Sequence, residues 1–230
     1  MVDILAVGTH PDDIELGIGG AVAALIRQGK TVAALDLTSG EPTPHGTPEL
    51  RRAETARSSE MLGLTQRLNL GLPNRWLRDT EEGRIAIAEV YRQLKPKVLL
   101  LPYWEDAHPD HVAASEMAQA ARFIAKYTKT EMKGEPYYAP RVFFYFCIHL
   151  KKLITPSFVF DVSDTLEIKL QAVAAYHSQF YAGGKERGDD LIARLRAQAG
   201  YFGGLIHARY GEPFYAREEL GVRSFDPFIV

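Results

Sequence analysis

Two short segments of the chain gather the side chains able to do chemistry. Thr9-His10-Pro11-Asp12-Asp13 and, nearly 100 residues later, His108-Pro109-Asp110-His111 together offer three imidazoles and three carboxylates. Packing alone has no use for so many ionisable groups, which are rarely buried without a partner. Either segment by itself reads as a turn with self-capping carboxylates, whereas the pair reads as a site. Imidazole and carboxylate donors in threes, with one position open for water, are the ligands of a catalytic divalent metal such as zinc, and they suit iron or cobalt as well. His10, Asp13 and His111 can supply such a triad, although spacing alone prefers neither Asp13 to Asp12 nor His111 to His108. A metal of this kind lowers the pKa of water to about 7, and hydrolysis then needs a base, an oxyanion stabiliser and an acid. The remaining Asp and His side chains can fill those roles.

Both segments follow short apolar runs, and the elements around them explain how they meet. Residues 3–8 read as a buried strand, 17–28 as a helix closed by Gly29, and 31–37 as a second strand. Residues 39–48 form a loop rich in Gly, Pro and Thr that can act as a lid. After it Thr47 caps a helix that opens on Pro48 and stops at Gly63. A strand at 66–70, a helix at 84–94 halted by Pro96, a strand at 97–101 and a helix containing 117–124 continue the alternation. This pattern predicts an α/β fold, a Rossmann-like three-layer sandwich with a mainly parallel sheet. In a doubly wound sheet of order 3-2-1-4 the first and fourth strands are neighbours. The crevice at their carboxyl ends is the switch point where ligands bind, so both segments meet there.

The second half is richer in aromatic and β-branched residues. Residues 141–149 and 157–162 are predicted strands that extend the sheet, and Asp164 with Glu167 predicts a capping box for a helix to about 179. Residues 190–206 have helical spacing, with 185–189 as a flexible link. No shift of composition divides the chain, so residues 1–230 are expected to form one domain.

Thr9 to Asp13 with Ile14-Glu15-Leu16, together with His108 to His111, resemble the PIG-L/LmbE-type zinc-dependent N-acetylglucosaminyl deacetylases. Asp36-Leu37-Thr38-Ser39-Gly40-Glu41, Asn69-Leu70-Gly71-Leu72-Pro73, Ser178-Gln179-Phe180-Tyr181 and residues 207–214 are similar to the branch serving bacillithiol biosynthesis. The resemblance implies metal ligands at His10, Asp13 and His111, a general base at Asp12, and an acid or charge-stabilising imidazole at His108 with Asp110 as its partner. It further implies a substrate contact at Arg51, one zinc ion per subunit, and N-acetylglucosaminyl malate as substrate. N-acetylglucosamine or chitobiose is the alternative. Relatives in that branch carry Arg where this chain has Ala107, so Arg51, Arg75 or another cation is expected to meet a carboxylate on the aglycone. A homo-oligomer, with a hexamer as one form, is also implied, and the aromatic-rich second half is its candidate interface.

Other features admit plainer readings. Tyr103, Trp104 and Trp76 can cover the apolar face of a sugar or serve as core. His177 and His207 fall on predicted helices, and His45 lies in the lid loop. Glu15 suits the first turn of a helix. Gly17-Ile18-Gly19-Gly20 followed by Asp36 faintly matches a dinucleotide fingerprint and an oxidoreductase, but Val22 stands at the third glycine. The acids before these glycines would also repel a pyrophosphate, so close helix–strand packing explains them better. A sugar-binding module without catalysis leaves Asp12 and His108 without purpose. The lone Cys147 reads as a small buried hydrophobe. With 27 basic and 29 acidic residues the chain has no field to gather nucleic acid or anionic lipid. It has no apolar run of the roughly 20 residues a spanning helix requires, and a cytoplasmic protein is expected.

Overall fold

A computed structural model describes residues 1–221 and 224. Its elements are β1 (Ile4–Gly8), α1 (Asp13–Arg27), β2 (Val32–Thr38), α2 (Pro48–Leu62), β3 (Gln66–Leu72), α3 (Glu81–Leu94), β4 (Val98–Pro102) and α4 (Pro109–Ile124). They continue with β5 (Arg141–Tyr145), β6 (Phe158–Asp161), α5 (Leu166–Ala174), α6 (His177–Phe180), α7 (Lys185–Gly204) and β7 (Gly211–Tyr215). Every residue of β1 and β2 is buried, as strands covered on both faces must be. Alternate side chains feed two cores. Leu5, Val7 and Leu35 pack with α3 and α4, while Ile4, Ala6, Val32 and Ala34 pack with α1. Helix α2 begins and ends as its sequence requires: the Thr47 hydroxyl accepts from the Leu50 N–H at 3.2 Å, and Gly63 closes it in the left-handed region at φ 79°.

The sheet runs β3-β2-β1-β4-β5-β7-β6. The first five strands pair in parallel, and β7 lies antiparallel to both β5 and β6. The expected 3-2-1-4 order is therefore present, with its switch point between β1 and β4. No helix among the described residues is long and apolar enough to cross a membrane.

Beyond β5 the structure departs from expectation. The two aromatic runs both form strands, but β7 separates them. That strand, Gly-Glu-Pro-Phe-Tyr, is not among the expected elements; it holds Gly and Pro, which weaken a local strand signal, and tertiary pairing forms it. Residues 185–189 are the first turn of α7 rather than a link, and His207 lies past the end of that helix at φ 59°. The cap of α5 falls on Thr165, whose hydroxyl donates to the Gly20 carbonyl, while Glu167 pairs with Arg196. The expected helix to 179 breaks into α5 and α6.

Helix α1 starts at Asp13, directly on the first motif, and is kinked at Ile18 (φ −137°, ψ 20°). The kink frees backbone N–H groups, and Gly20 and Ala21 donate theirs to Glu212 of β7 at 3.1 and 2.7 Å. Lys169 of α5 pairs with the same carboxylate at 2.6 Å and donates to the Gly17 carbonyl. The glycine run is thus a packing device. A Cβ on Gly17 would stand 2.5 Å from the ring of Tyr145, which is fully buried and fixed by its hydroxyl to the Val7 carbonyl. G17A is expected to lower stability by about 1–3 kcal/mol, the cost of overpacking a filled core, as read by urea unfolding.

Candidate active site

The loops after β1 and β4 bring the two motifs together, as their sequence placement requires. Asp13, the first residue of α1, turns its carboxylate back to accept from the His10 backbone N–H at 2.8 Å. The two oxygens of Asp13 then face two imidazoles, Oδ2 at 3.3 Å from His10 Nδ1 and Oδ1 at 3.3 Å from His111 Nε2. Bonds of roughly 2.0–2.1 Å to a tetrahedral metal put neighbouring ligand atoms about 3.4 Å apart; each imidazole stands near that distance from one oxygen of Asp13, and donor atoms of all three residues lie within 4.8 Å of one another. Two further sets fall within the same 4.8 Å, His10 with His108 and Asp110, and Asp106 with His111 and Cys147. Each contains a member whose own chemistry disfavours a metal. The Asp110 carboxylate accepts from the backbone N–H groups of Arg75 at 2.6 Å and Leu77 at 3.3 Å. Burial pushes the Cys147 thiol up to about 11, so it stays protonated.

Burial also raises the carboxyl of Asp13, but His111 and then His10 outweigh it and hold the group well below the usual range. Asp12 differs. Its pKa is pushed up to about 7, chiefly by burial and further by Asp13, against the opposing pull of Arg51. Its backbone lies at φ 127°, a strained conformation for any residue with a side chain, worth on the order of 1–3 kcal/mol. Arg51 holds it there, donating from Nη2 to the Asp12 carboxylate at 2.9 Å and to the Pro11 carbonyl. Nε and Nη1 of Arg51 are buried without a hydrogen-bond partner, and the side chain borders the cavity.

His108 caps α4, its Nδ1 accepting from the backbone N–H of Asp110 at 3.2 Å. With Nδ1 an acceptor, the neutral ring carries its proton on Nε2. Burial, His111 and His10 lower its pKa and favour that neutral form. The hydrogen bond between His108 and Asp110 therefore runs through the backbone, and the carboxylate of Asp110 instead fixes the segment bearing Arg75 and sits 3.4 Å from His10 Nε2.

A cavity of about 380 Å³ opens over these groups, a size suited to a small ligand. His10, Asp12, Asp13, Arg51, His108 and His111 line its base, with Arg75 at its side. Tyr103 and Trp104 do not border it. They stack at 4.0 Å and join Phe144, Phe146 and Tyr215 in an aromatic cluster, none of whose members lines the cavity. Trp76 and His45 are exposed and away from the cavity, as are His177 and His207.

Three contributors escape a motif-based reading. Asp106 accepts from the His108 N–H at 2.7 Å and lies 3.3 Å from His111 Nδ1, where it favours the tautomer that leaves Nε2 facing Asp13. Its signal is the Asx turn two residues before His108. His149, after β5, borders the cavity with its ring 5.7 Å from those of His108 and His111. Glu15, expected as a dipole partner, is fully buried and bonded to Ser58, Arg67 and Tyr176.

The family described as PIG-L, GlcNAc-PI de-N-acetylase, matches residues 5–122, which carry both motifs. The chain belongs to the PIG-L family. A relative from Thermococcus kodakarensis, a diacetylchitobiose deacetylase, is 30% identical over 91% of this chain and 80% of its own. A 1D-myo-inositol 2-acetamido-2-deoxy-alpha-D-glucopyranoside deacetylase from Thermomonospora curvata is 25% identical over 61% of this chain and 58% of its own. Among solved structures, the conserved protein TT1542 from Thermus thermophilus superposes with a TM-score of 0.89 at 39% identity, over 97% of this chain and 98% of that one. The N,N'-diacetylchitobiose deacetylase from Pyrococcus horikoshii shares the fold, with a TM-score of 0.80 at 24% identity over 98% and 88% of the two chains.

Within the PIG-L match lies the buried charge cluster supporting the first motif. Arg67 on β3 reaches Glu15 at 2.6 Å and Asp36 at 2.7 and 2.9 Å. R67M leaves two carboxylates buried without their cation and is expected to cost about 3–5 kcal/mol in urea unfolding.

Proposed function

We propose that this PIG-L protein is a metal-dependent hydrolase that removes the acetyl group from an N-acetylglucosamine glycoside. The observation that most supports the reading is the convergence of His10, Asp13 and His111 at co-ligand separation, with Asp12 and His108 beside them in the same cavity. His10, Asp13 and His111 are the residues assigned to one divalent ion, taken as zinc. When bound, the ion supplies Lewis-acid polarisation of the amide carbonyl and acidifies the attacking water.

The chain's own groups do the rest. Asp12, with a pKa near 7, is matched to neutral pH as the base that takes the proton of the attacking water. Arg51 fixes the direction of that carboxylate. His108 donates its Nε2 proton as a hydrogen bond to the oxyanion that develops as the carbonyl carbon becomes tetrahedral. Asp12 then returns its proton to the departing nitrogen as the C–N bond breaks. Acetate and the free glucosamine leave, and Asp12 is again a carboxylate. Asp110 acts on the site by holding the Arg75 segment and His10, and Arg51, which borders the cavity, is placed to meet the sugar.

N-acetyl-α-D-glucosaminyl L-malate is the substrate we favour, in keeping with the segments that resemble the bacillithiol branch and with the arginine content of the cavity. A diacetylchitobiose-type substrate is the second reading, favoured by the Thermococcus kodakarensis relative. A cytoplasmic setting, one domain over residues 1–230 and a homo-oligomer belong to the same proposal.

Acetate release from N-acetylglucosaminyl malate, diacetylchitobiose and N-acetylglucosamine by the zinc-loaded protein tests both readings. Release abolished by a chelator and restored by zinc, with preference for the malate glycoside, is expected. Release from none of the three rejects the proposal. D12N should keep its bound metal, measured by plasma emission, while turnover falls about 100-fold or more. H111A should lose the metal itself, and full metal occupancy in H111A would remove His111 from the ligand set.

A further inference from the structure

The cavity's charge divides by depth. At the base, Asp12 is matched by Arg51, and Asp13 by His10 and His111. Nearer the mouth stand Arg75, Arg187 and Arg194, all exposed and all bordering the cavity. None of the three has a carboxylate partner among the described residues. Arg194 donates from Nε only to the backbone carbonyl of Asp190 at 3.2 Å. Arg67, Arg84, Arg122 and Arg196, by contrast, each hold an acid.

Arg187 and Arg194 sit two turns apart on α7, separated by about 10 Å along the helix, with Leu191 between them on the same face. All three residues of this face border the cavity, whereas the helix's own acids, Glu186, Asp189 and Asp190, do not. Asp189 is occupied by Lys185. The helix therefore presents cations to the ligand and keeps its anions elsewhere. It also lies outside the residues 5–122 that match the family, so this charge is carried by a segment separate from both motifs. A guanidinium is a planar two-pronged donor that fits a carboxylate, and a set of them without internal acids is electrostatically incomplete until an anion arrives.

We infer that Arg187 and Arg194 of α7 are specificity-determining residues that bind the carboxylates of an acidic aglycone while the acetylated sugar occupies the base of the cavity. The inference rests on the deacetylase reading for the identity of the sugar, and on the placement of α7 for the anion. Arg75 completes the same rim from the segment that Asp110 holds.

The test compares wild-type protein with R187Q/R194Q. For acetate release, the ratio of kcat/KM on N-acetylglucosaminyl malate to that on methyl N-acetylglucosaminide is expected to fall about tenfold or more in the variant, through KM, and most at low ionic strength. A ratio unchanged within about twofold overturns the assignment. Charge reversal, R187E/R194E, should lower the ratio further, and both substitutions fall on exposed positions of the helix.

Calorimetric titration with the deacetylated pair, glucosaminyl malate and methyl glucosaminide, reads the arginines without turnover. Wild-type protein is expected to prefer the malate glycoside and R187Q/R194Q to lose the preference. Equal binding of the pair by wild-type protein overturns the inference. Wild-type protein that releases acetate from neither substrate, yet shows a binding preference that R187Q/R194Q abolishes, rejects the deacetylase reading and leaves the arginine assignment standing.

Discussion

Four carboxylates, Asp12, Asp13, Glu15 and Asp36, are buried where β1 and β2 end, and the architecture of this half of the molecule follows from neutralising them. An isolated buried charge costs far more than a folded domain can spare, so every acid has a cationic partner from another part of the chain, with Glu15 and Asp36 sharing one. Arg51 comes from α2, Arg67 from β3, His10 from the loop after β1 and His111 from α4. The result separates the two adjacent aspartates of the first motif. Asp13, facing two imidazoles, stays ionised, while Asp12, with one guanidinium and a strained backbone, titrates near neutrality. One sequence dipeptide thereby furnishes two carboxylates with separated titrations, as the proposed metal ligand and the proposed base require.

The alternation of apolar runs and helical spacing made the first half of the fold legible, because buried parallel strands and capped helices leave local signals. Thr47, Pro48 and Gly63 bound α2 in the sequence as they do in the structure. Both motifs were legible for the same reason, since each follows a strand and the strand order brings them together. The second half resisted because its order is set by long-range pairing. Nothing local in residues 211–215 announces a strand, and nothing in residues 185–189 announces the start of a twenty-residue helix. Those segments acquire their structure from β5, β6 and α5.

The site was legible in its ionisable residues and less so in their supports. Asp106 and Glu15 are ordinary acids in sequence, and only burial beside His111 and Arg67 reveals their function as positioning groups. The aromatic residues misled in the other direction. Tyr103 and Trp104 follow β4 immediately, but the aromatic side chains of β5 and β7 draw them into a stack that does not line the cavity. Composition carries no sign of that preference, which depends on what two distant strands present.

Glu212 ties the kink of α1 to a strand some 190 residues later in the chain. During synthesis, residues 5–122 with both motifs emerge from the ribosome well before this carboxylate does. Until it arrives, the N–H groups of Gly20 and Ala21 and the ammonium of Lys169 lack their common acceptor. The stretch that holds both motifs thus lacks this tie on α1 until β7 is made. A nascent chain stalled before that point presents both motifs without the carboxylate that braces α1 behind the first of them.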